Sequence, residues 1–544
     1  MAKGYRPVER DQLMLLPPDM REWLGADHAV WLVIGAVHGH LDTSAAHRMR
    51  RAGGRGAAGY DPDMMVALLA WAYGQGVTSS RRIEQLCRTD VAFRVICGGR
   101  AGPDHVTIAR FRAGLGPAAA DLFASVLRLC ARLGMGRLGV IALDGTKIAA
   151  SASKSANRSR DRLAELAGEL VAAHAAADAA EDALFGPGVR GDELPPEVAD
   201  PRTRDERIAA ALADLQAERD AEQAARDAEA AEYLEAAAAG TPPPGPRPAG
   251  ADVAAAQLRL DRLTQAQEAK VASWQRRNAE KKAATGTGLP ERPPKPPAEH
   301  AKVKRAAERV EKAKQRAAER DRKNGQAQAT GARPVKVRNI TDPHSRLMPV
   351  RGGGFIQGYN AQVVASEDGL ILATTVTQDT TDVAWFAPML EQAQAAARLI
   401  TGCRPPGSTQ PGQIGLVLAD AGYLSEDNLT CDGPDRIIAV GKRRDLEQAA
   451  RTGKRAGRDG TGPATTAMAE RLKTPEAITA YRHRGHIAET PHAHIKHNMG
   501  FRQLTMRGKP KATAEWTFTA AVHNLLKAIT TGHLTSQALT TLAS

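Results

Sequence analysis

Cysteine is scarce in this chain. Cys87, Cys97, Cys130, Cys403 and Cys431 are scattered over 544 residues, and no two of them form a C-x-x-C pair. That argues against a structural zinc site and against a disulfide framework, and it suits a reducing compartment. Long apolar runs are missing too. The opening residues MAKGYRPVERDQ lack the apolar stretch of a signal peptide. The longest apolar stretches, such as Ala29 to Val37, are too short to cross a bilayer. The expectation is therefore a cytoplasmic protein without a membrane partner. Acidic residues are outnumbered, with 61 Asp and Glu against 74 Lys and Arg, a formal net charge of +13 and a pI near 9.6. An excess of this size points to a polyanion such as DNA or RNA, although charge alone fits a merely basic soluble protein equally well. The length suits about three domains.

Composition divides the chain. Residues 1–135 read as a globular, mostly helical N-terminal domain. Met64 to Tyr73, MMVALLAWAY, predicts a buried helix, and Arg48 to Gly59 reads as a Gly- and Arg-rich loop. Ser79-Ser80-Arg81-Arg82-Ile83-Glu84 looks like a capped helix start, and Pro103 to Thr107 leads into IARFRAGL. Helix, turn and helix with exposed Arg81, Arg82, Arg110 and Arg112 would suit DNA contact; the plainer alternative is a helical bundle with a basic face. Residues 136–150 hold one strand. Residues 151–338 are rich in Ala, Arg, Glu and Lys with almost no aromatics. Helical spacing recurs at Leu163, Leu166 and Leu170, and at Ile208, Leu212 and Leu215. The pair Leu260 and Leu263 recurs eleven residues on as Val271 and Trp274, and sevenfold spacing joins Val303, Val310 and Ala317. Pro- and Gly-rich breaks at Gly186, Thr241 and Leu289 separate these helices. The reading is a helical hairpin or short coiled-coil array with thin seams, partly disordered. Residues 339–544 return to globular composition. Strands are expected at Gly358–Glu367, Leu370–Thr377, Gly415–Ala419 and Arg436–Val440, with a helix at Val383–Ile400, giving a mixed α/β sheet.

Three places carry chemistry. In GVIALDGTKI an apolar strand, Val140 to Leu143, is expected to end in Asp144 with Gly145 and Thr146 as a turn. GLVLADAGY repeats this grammar with Asp420. Strand ends in open α/β sheets face ligands, though Asp-Gly is also a common turn dipeptide. Two neighbouring aspartates repel unless cations lie between them, which is what a two-metal site requires. The third place is YRHRGHIAETPHAHIK, where Glu489 and Lys496 are seven apart. Pro491 predicts a helix beginning near Thr490, with Glu489 at its entrance and Tyr481 and Arg484 before it. A carboxylate beside Arg and Lys suits a metal ligand flanked by phosphate clamps, and equally a solvated helix with a local ion pair. The nearby histidines, His483 to His497, match no zinc motif.

In order, ALDGTKI, TDPHSRLM with GYNAQ, LADAGYLSEDN and Y-x2-R-x4-E-x6-K resemble the DDE transposases of bacterial insertion sequences, in the branch with a Tyr-Arg-Glu-Lys signature. YDPDMMVALLAWAYGQGVTSSRRIE, PDHVTIARFR and HNLLKA resemble the same family, so the likeness covers roughly residues 10–155 and 338–530. It implies an RNase H-like α/β catalytic core and an all-α N-terminal domain that helps recognise terminal inverted repeats; the long helical/coiled-coil insertion read from composition departs from the family in its length. Asp144, Asp420 and Glu489 would be the catalytic triad holding two Mg2+ ions, with Mn2+ able to substitute. Tyr481, Arg484 and Lys496 would hold the DNA backbone. The implied activity is endonucleolytic nicking at transposon ends and strand transfer into target DNA, by a homodimer on DNA in a bacterial cytoplasm, at the nucleoid. The competing expectation is an inactive or domesticated transposase that only binds DNA. One departure is local: His492-Ala493-His494 stands where the family often has an aromatic and a glycine.

Overall fold

The computed structural model describes residues 19–49, 59–116, 118–167, 204–239, 248, 251–329, 337–350, 353–441, 451 and 462–543. It forms two compact units, one of Met1–Ala156 with Thr341–Ser544 and one of Asn157–Ile340.

The first unit begins with helices α1 (Ala29–His40), α2 (Ser44–Arg48), α3 (Pro62–Gly74), α4 (Ser80–Thr89), α5 (Val91–Ile96), α6 (His105–Gly114) and α7 (Ala118–Arg132). Local chemistry sets their starts. Asp61 caps α3 with Pro62 in its first turn, Ser79 accepts from the Arg82 amide, and Asp104 accepts from the Thr107 amide at 2.7 Å. Helix α3 is buried on nearly every side, as an all-apolar run requires. Strand β1 (Val140–Ala149) follows. The expected loop after Arg48 and the Leu170, Gly186 and Thr241 segments lie wholly or mostly outside the described residues.

The second unit opens with β2 (Asn157–Ser159), continues through α8 (Arg204–Ala239), α9 (Ala251–Thr285) and α10 (Ala301–Ala329), and closes with β3 (Val337–Asn339). Strands β2 and β3 pair antiparallel, Arg158 opposite Arg338. Leu163, Leu166, Ile208, Ala211 and Leu215 form a small core. Arg338, buried, bonds to Asp214 and Glu218 of α8. Helices α9 and α10 form a hairpin whose seam buries Val303, Ala306 and Val310. Sevenfold spacing thus marks real packing, and small side chains keep the seam thin.

Back in the first unit come β4 (Arg346–Pro349), β5 (Phe355–Ser366), β6 (Ile371–Thr377), α11 (Phe386–Cys403), β7 (Leu416–Ala419), α12 (Glu426–Thr430), β8 (Asp435–Ile438), α13 (Pro463–Arg471), α14 (Pro475–Ala493), α15 (Lys509–Thr530) and α16 (Ser536–Ala543). The sheet runs β4-β5-β1-β7-β8, with β6 also on β5. It is mixed: β5 is antiparallel to β1, β4 and β6, whereas β1, β7 and β8 are parallel. One continuous core joins the N-terminal helices to this sheet. Two buried side chains of α15 pin it. Asn524 accepts from the Ile371 amide at 2.8 Å and donates to its carbonyl at 2.9 Å. Glu515 accepts from the Tyr73 hydroxyl at 2.8 Å and the Thr505 amide at 2.8 Å.

Two local expectations are corrected. Asp144 does not end its strand. Strand β1 continues to Ala149 because β5 pairs with it throughout, up to Ala149 opposite Gly358. Only the parallel partner β7 stops there, at Ala419 opposite Leu143. The helix around Glu489 does not begin at Thr490 either. Helix α14 starts at Pro475, capped by Thr474, and carries Pro491 inside it. Burial of Ile487, Ala488, Pro491 and His492 outweighs the hydrogen bond that proline removes. A π-helical turn, His494–Asn498, follows directly.

Candidate active site

Asp144 lies where β1 loses its parallel neighbour, and Asp420 is the first residue beyond that neighbour. The parallel register, Leu143 opposite Ala419, therefore sets the two aspartates side by side. Asp420 also caps the short turn Ala421–Tyr423, accepting from the Gly422 amide at 2.9 Å. From α14, the Arg484 guanidinium spans both carboxylates, 3.0 Å from Asp144 Oδ1 and 3.6 Å from Asp420 Oδ2. Burial pushes the Asp144 carboxyl up to about 6; Arg484 pulls it down, and Asp420 and Asp382 add repulsion. The pair is thus only partly neutralised by the chain's own cation.

Lys496, in the π-helical turn, donates to the Thr146 hydroxyl and, at 3.0 Å, to the Lys147 carbonyl. Burial lowers its ammonium pKa, with Asp144 opposing. His492 faces the same strand from inside. Burial and the nearby Lys496 charge push it down to about 4, so it is neutral at pH 7. Both of its ring nitrogens, Arg484 Nε and Asn360 Oδ1 are buried without hydrogen-bond partners among the described residues.

Glycines mark the tightest approaches. A Cβ on Gly145 would lie 2.5 Å from Asp382 Oδ1 and 2.6 Å from Gln362 Nε2. Asp382 stands between β6 and α11. It accepts from Asn360 at 2.6 Å and Gln362 at 2.7 Å, with Lys147 Nζ at 3.6 Å. The buried Tyr423 hydroxyl donates to Gln362 Oε1. Asp382, Asn360 and Gln362 were not singled out from the sequence. The available signal was a pair of amides two apart on the buried strand GYNAQVVAS, where an apolar strand would carry none.

The remaining expected residues fall differently. Glu489 is on α14 but exposed, and it makes no hydrogen bond or ion pair among the described residues. It therefore does not touch either aspartate here. Tyr481, on the same helix, is half-buried against the core. In the N-terminal helices Arg81, Arg82 and Arg110 are exposed. Arg112 is not: it bonds to the Thr78 carbonyl and the Ser80 hydroxyl, tying α6 to the start of α4. Elsewhere, His47, Asp61 and Asp63 bring ligand atoms within 4.8 Å of one another. Asp61 is already the α3 cap, and Asp63 already bonds to Thr43 and His47, so that group is explained as a helix start.

Hard carboxylate oxygens suit Mg2+ or Mn2+ rather than zinc. The donor set of Asp144 and Asp420, with orphaned buried polar atoms around it, fits such a cation. Residues 21–114 match the family described as Transposase domain (DUF772), and residues 451–529 match the family described as Transposase DDE domain. The second match contains Tyr481, Arg484, Glu489 and Lys496; Asp144 and Asp420 lie outside both matched segments. No curated protein and no solved structure matches the chain.

Proposed function

Starting from a chain that belongs with the DDE transposases of insertion sequences, we propose that it nicks DNA at transposon ends and joins the freed 3′ ends to target DNA. The catalytic unit is read as RNase H-like, from its mixed sheet with aspartates on adjacent parallel strands. The observation that carries the reading is that adjacency, bridged by one arginine.

A pair of bound divalent cations would supply charge neutralisation and activation of the attacking oxygen. Asp144 and Asp420 would hold them. Glu489 is assigned as the third catalytic carboxylate and would have to reach the aspartates once DNA is bound. Arg484 is placed to exchange its carboxylate partners for a phosphate, since guanidinium binds both in the same forked geometry. Lys496 and Tyr481 would steady the backbone of the transposon end. Exposed Arg81, Arg82 and Arg110 would add contacts from the N-terminal helices.

The helical insertion is assigned a DNA-contacting role. Between α9 and α10 lies a cleft of about 530 Å3, lined by Arg259, Arg309, Lys312 and Arg316 over small alanines, with one acid, Asp252, that pairs with Arg320. None of these four cations has an ion-pair partner among the described residues. Phosphates are the counter-ions such a surface would take. Assembly is read as a homodimer holding two ends together, in the cytoplasm.

A second reading, a DNA-binding relic without catalysis, draws on one feature: Glu489 is exposed and apart from the aspartates. Strand cleavage on DNA carrying the element's ends, with Mg2+ or Mn2+, separates the two. Metal-dependent cutting supports the enzyme; end binding without cutting supports the relic.

A further inference from the structure

The cysteines are scattered through the sequence, yet the fold brings two of them together. Cys87 lies on α4, and Cys97 closes α5 ten residues later. Gly102 passes over both. A Cβ there would lie 2.9 Å from Cys87 Sγ and 3.1 Å from Cys97 Sγ, so the two sulfurs border one small volume that the missing side chain leaves open. The Cys87 thiol donates a hydrogen bond to the Cys97 sulfur. The other thiols are placed differently. Cys130 and Cys431 bond to the carbonyls of Asn524 and Asn428, and Cys403 makes no hydrogen bond among the described residues.

The two partners are unequal. Cys87 is buried, whereas Cys97 is half-buried and can be reached from solvent. The hydrogen bond to Cys97, with burial, holds Cys87 as a thiol, and the same bond lowers the pKa of Cys97. The thiolate is the reactive form, so the sulfur within reach is also the one that reacts. A buried cysteine alone is commonly a small apolar filler. A half-exposed thiol with a second thiol behind it is instead the arrangement of an attacking and a resolving cysteine. The backbone leaves room for them to close. Cys97 caps a short helix and is followed by Gly98 and Gly99, both at positive φ, 68° and 70°, which glycine adopts without strain.

We propose that Cys87 and Cys97 form a redox-active dithiol that reacts with hydroperoxides and closes to a disulfide. The Cys97 thiolate attacks one peroxide oxygen, the O–O bond breaks, hydroxide leaves, and Cys97 becomes a sulfenic acid. The Cys87 sulfur then attacks the Cys97 sulfur, the S–O bond breaks, and the Cys87 proton departs with that hydroxyl as water. The peroxide gains two electrons and the two thiols lose them; a small-molecule thiol reverses the step by exchange. The bond would tie the middle of α4, the helix that carries exposed Arg81 and Arg82, to the end of α5. The site does not depend on the metal-dependent reading above.

The test uses full-length protein, reduced and then freed of thiol. It is exposed to hydrogen peroxide, denatured in N-ethylmaleimide and mapped by peptide mass spectrometry. Expected is a Cys87–Cys97 cross-linked peptide that dithiothreitol removes and that forms at least about tenfold faster than Cys403 is oxidised. In Cys87→Ser, Cys97 should stop at the sulfenic acid and be trapped by dimedone. In Cys97→Ser, Cys87 should stay open to alkylation. Circular dichroism checks the fold of each variant, and the wild-type map decides the question even if serine at buried Cys87 unfolds its helix. A wild type in which Cys87 and Cys97 stay open to alkylation while Cys403 oxidises, or in which either thiol links only to a second copy, overturns the proposal.

Discussion

The strand that holds Asp144 and the helix face that holds Glu489 treat a carboxylate in opposite ways. Asp144 is in register with Val363 of β5, one residue beyond the end of the parallel pairing with β7, half-buried, and held by an arginine. Glu489 is exposed and touches no partner among the described residues. A carboxylate forced into a poor solvent costs stability and is kept where function needs charge in a fixed place. A carboxylate left in water costs nothing and is free to move. The contrast separates a preorganised half of the site from a half that DNA would have to complete.

Breaking the preorganised half should have the largest effect. Asp144→Ala and Asp420→Ala should each lower metal-dependent strand cleavage by roughly a thousandfold or more, in line with loss of a group central to charge stabilisation, while end binding in a gel-shift assay persists. Glu489→Ala should be comparably inactive yet melt within about 0.5 kcal/mol of wild type, as exposed substitutions do.

Arg484→Ala should sharpen the contrast through stability. Removing one partner of a buried ion pair costs about 3 kcal/mol. Chemical denaturation at pH 7 should show this loss, and at pH 4, with Asp144 protonated, the loss should shrink. An equal loss at both values would mean that Arg484 acts through packing.

Asp144→Asn should act in the other direction. The Asp144 carboxyl sits near 6 in the folded protein against a usual 3.8. The folded state therefore binds the extra proton, and stability present below about pH 4 is lost as pH rises through 6. Two units correspond to about 3 kcal/mol, so the asparagine variant should be more stable than wild type by up to that amount at pH 7 in EDTA, with no gain near pH 3. Saturating Mg2+ should stabilise wild type and not the variant, as differential scanning fluorimetry would register.

The smallest effect belongs to the helical insertion. Replacing Arg309, Lys312 and Arg316 by alanine should reduce the slope of log binding constant against log salt by about 3 if each meets a phosphate. An unchanged slope would return the cleft to plain solvated surface.

Much of the sheet was legible because its apolar runs are short and bounded by polar turns. Val140 to Leu143 and Leu416 to Ala419 both read as strands, each followed by an aspartate. Their side-by-side pairing was not legible, since strand order is a long-range property. Local rules failed at Asp144-Gly145, where a turn dipeptide is overridden by pairing with β5, and at Pro491, where burial carries a helix through a proline. Asp382 escaped notice because its partners are distant in sequence, 20 and 22 residues away on β5. Arg112 shows the opposite error: a basic residue suited to DNA by its type is occupied by Thr78 and Ser80.

The most direct test of the central claim is cleavage and joining of a labelled duplex bearing the element's own ends, with Mg2+ or Mn2+, for wild type beside Asp144→Ala, Asp420→Ala and Glu489→Ala. The account predicts nicking and joining by wild type, and three variants that bind the ends and do neither. A wild type that binds the ends and never cuts, or a variant of either aspartate that still cuts, would contradict it.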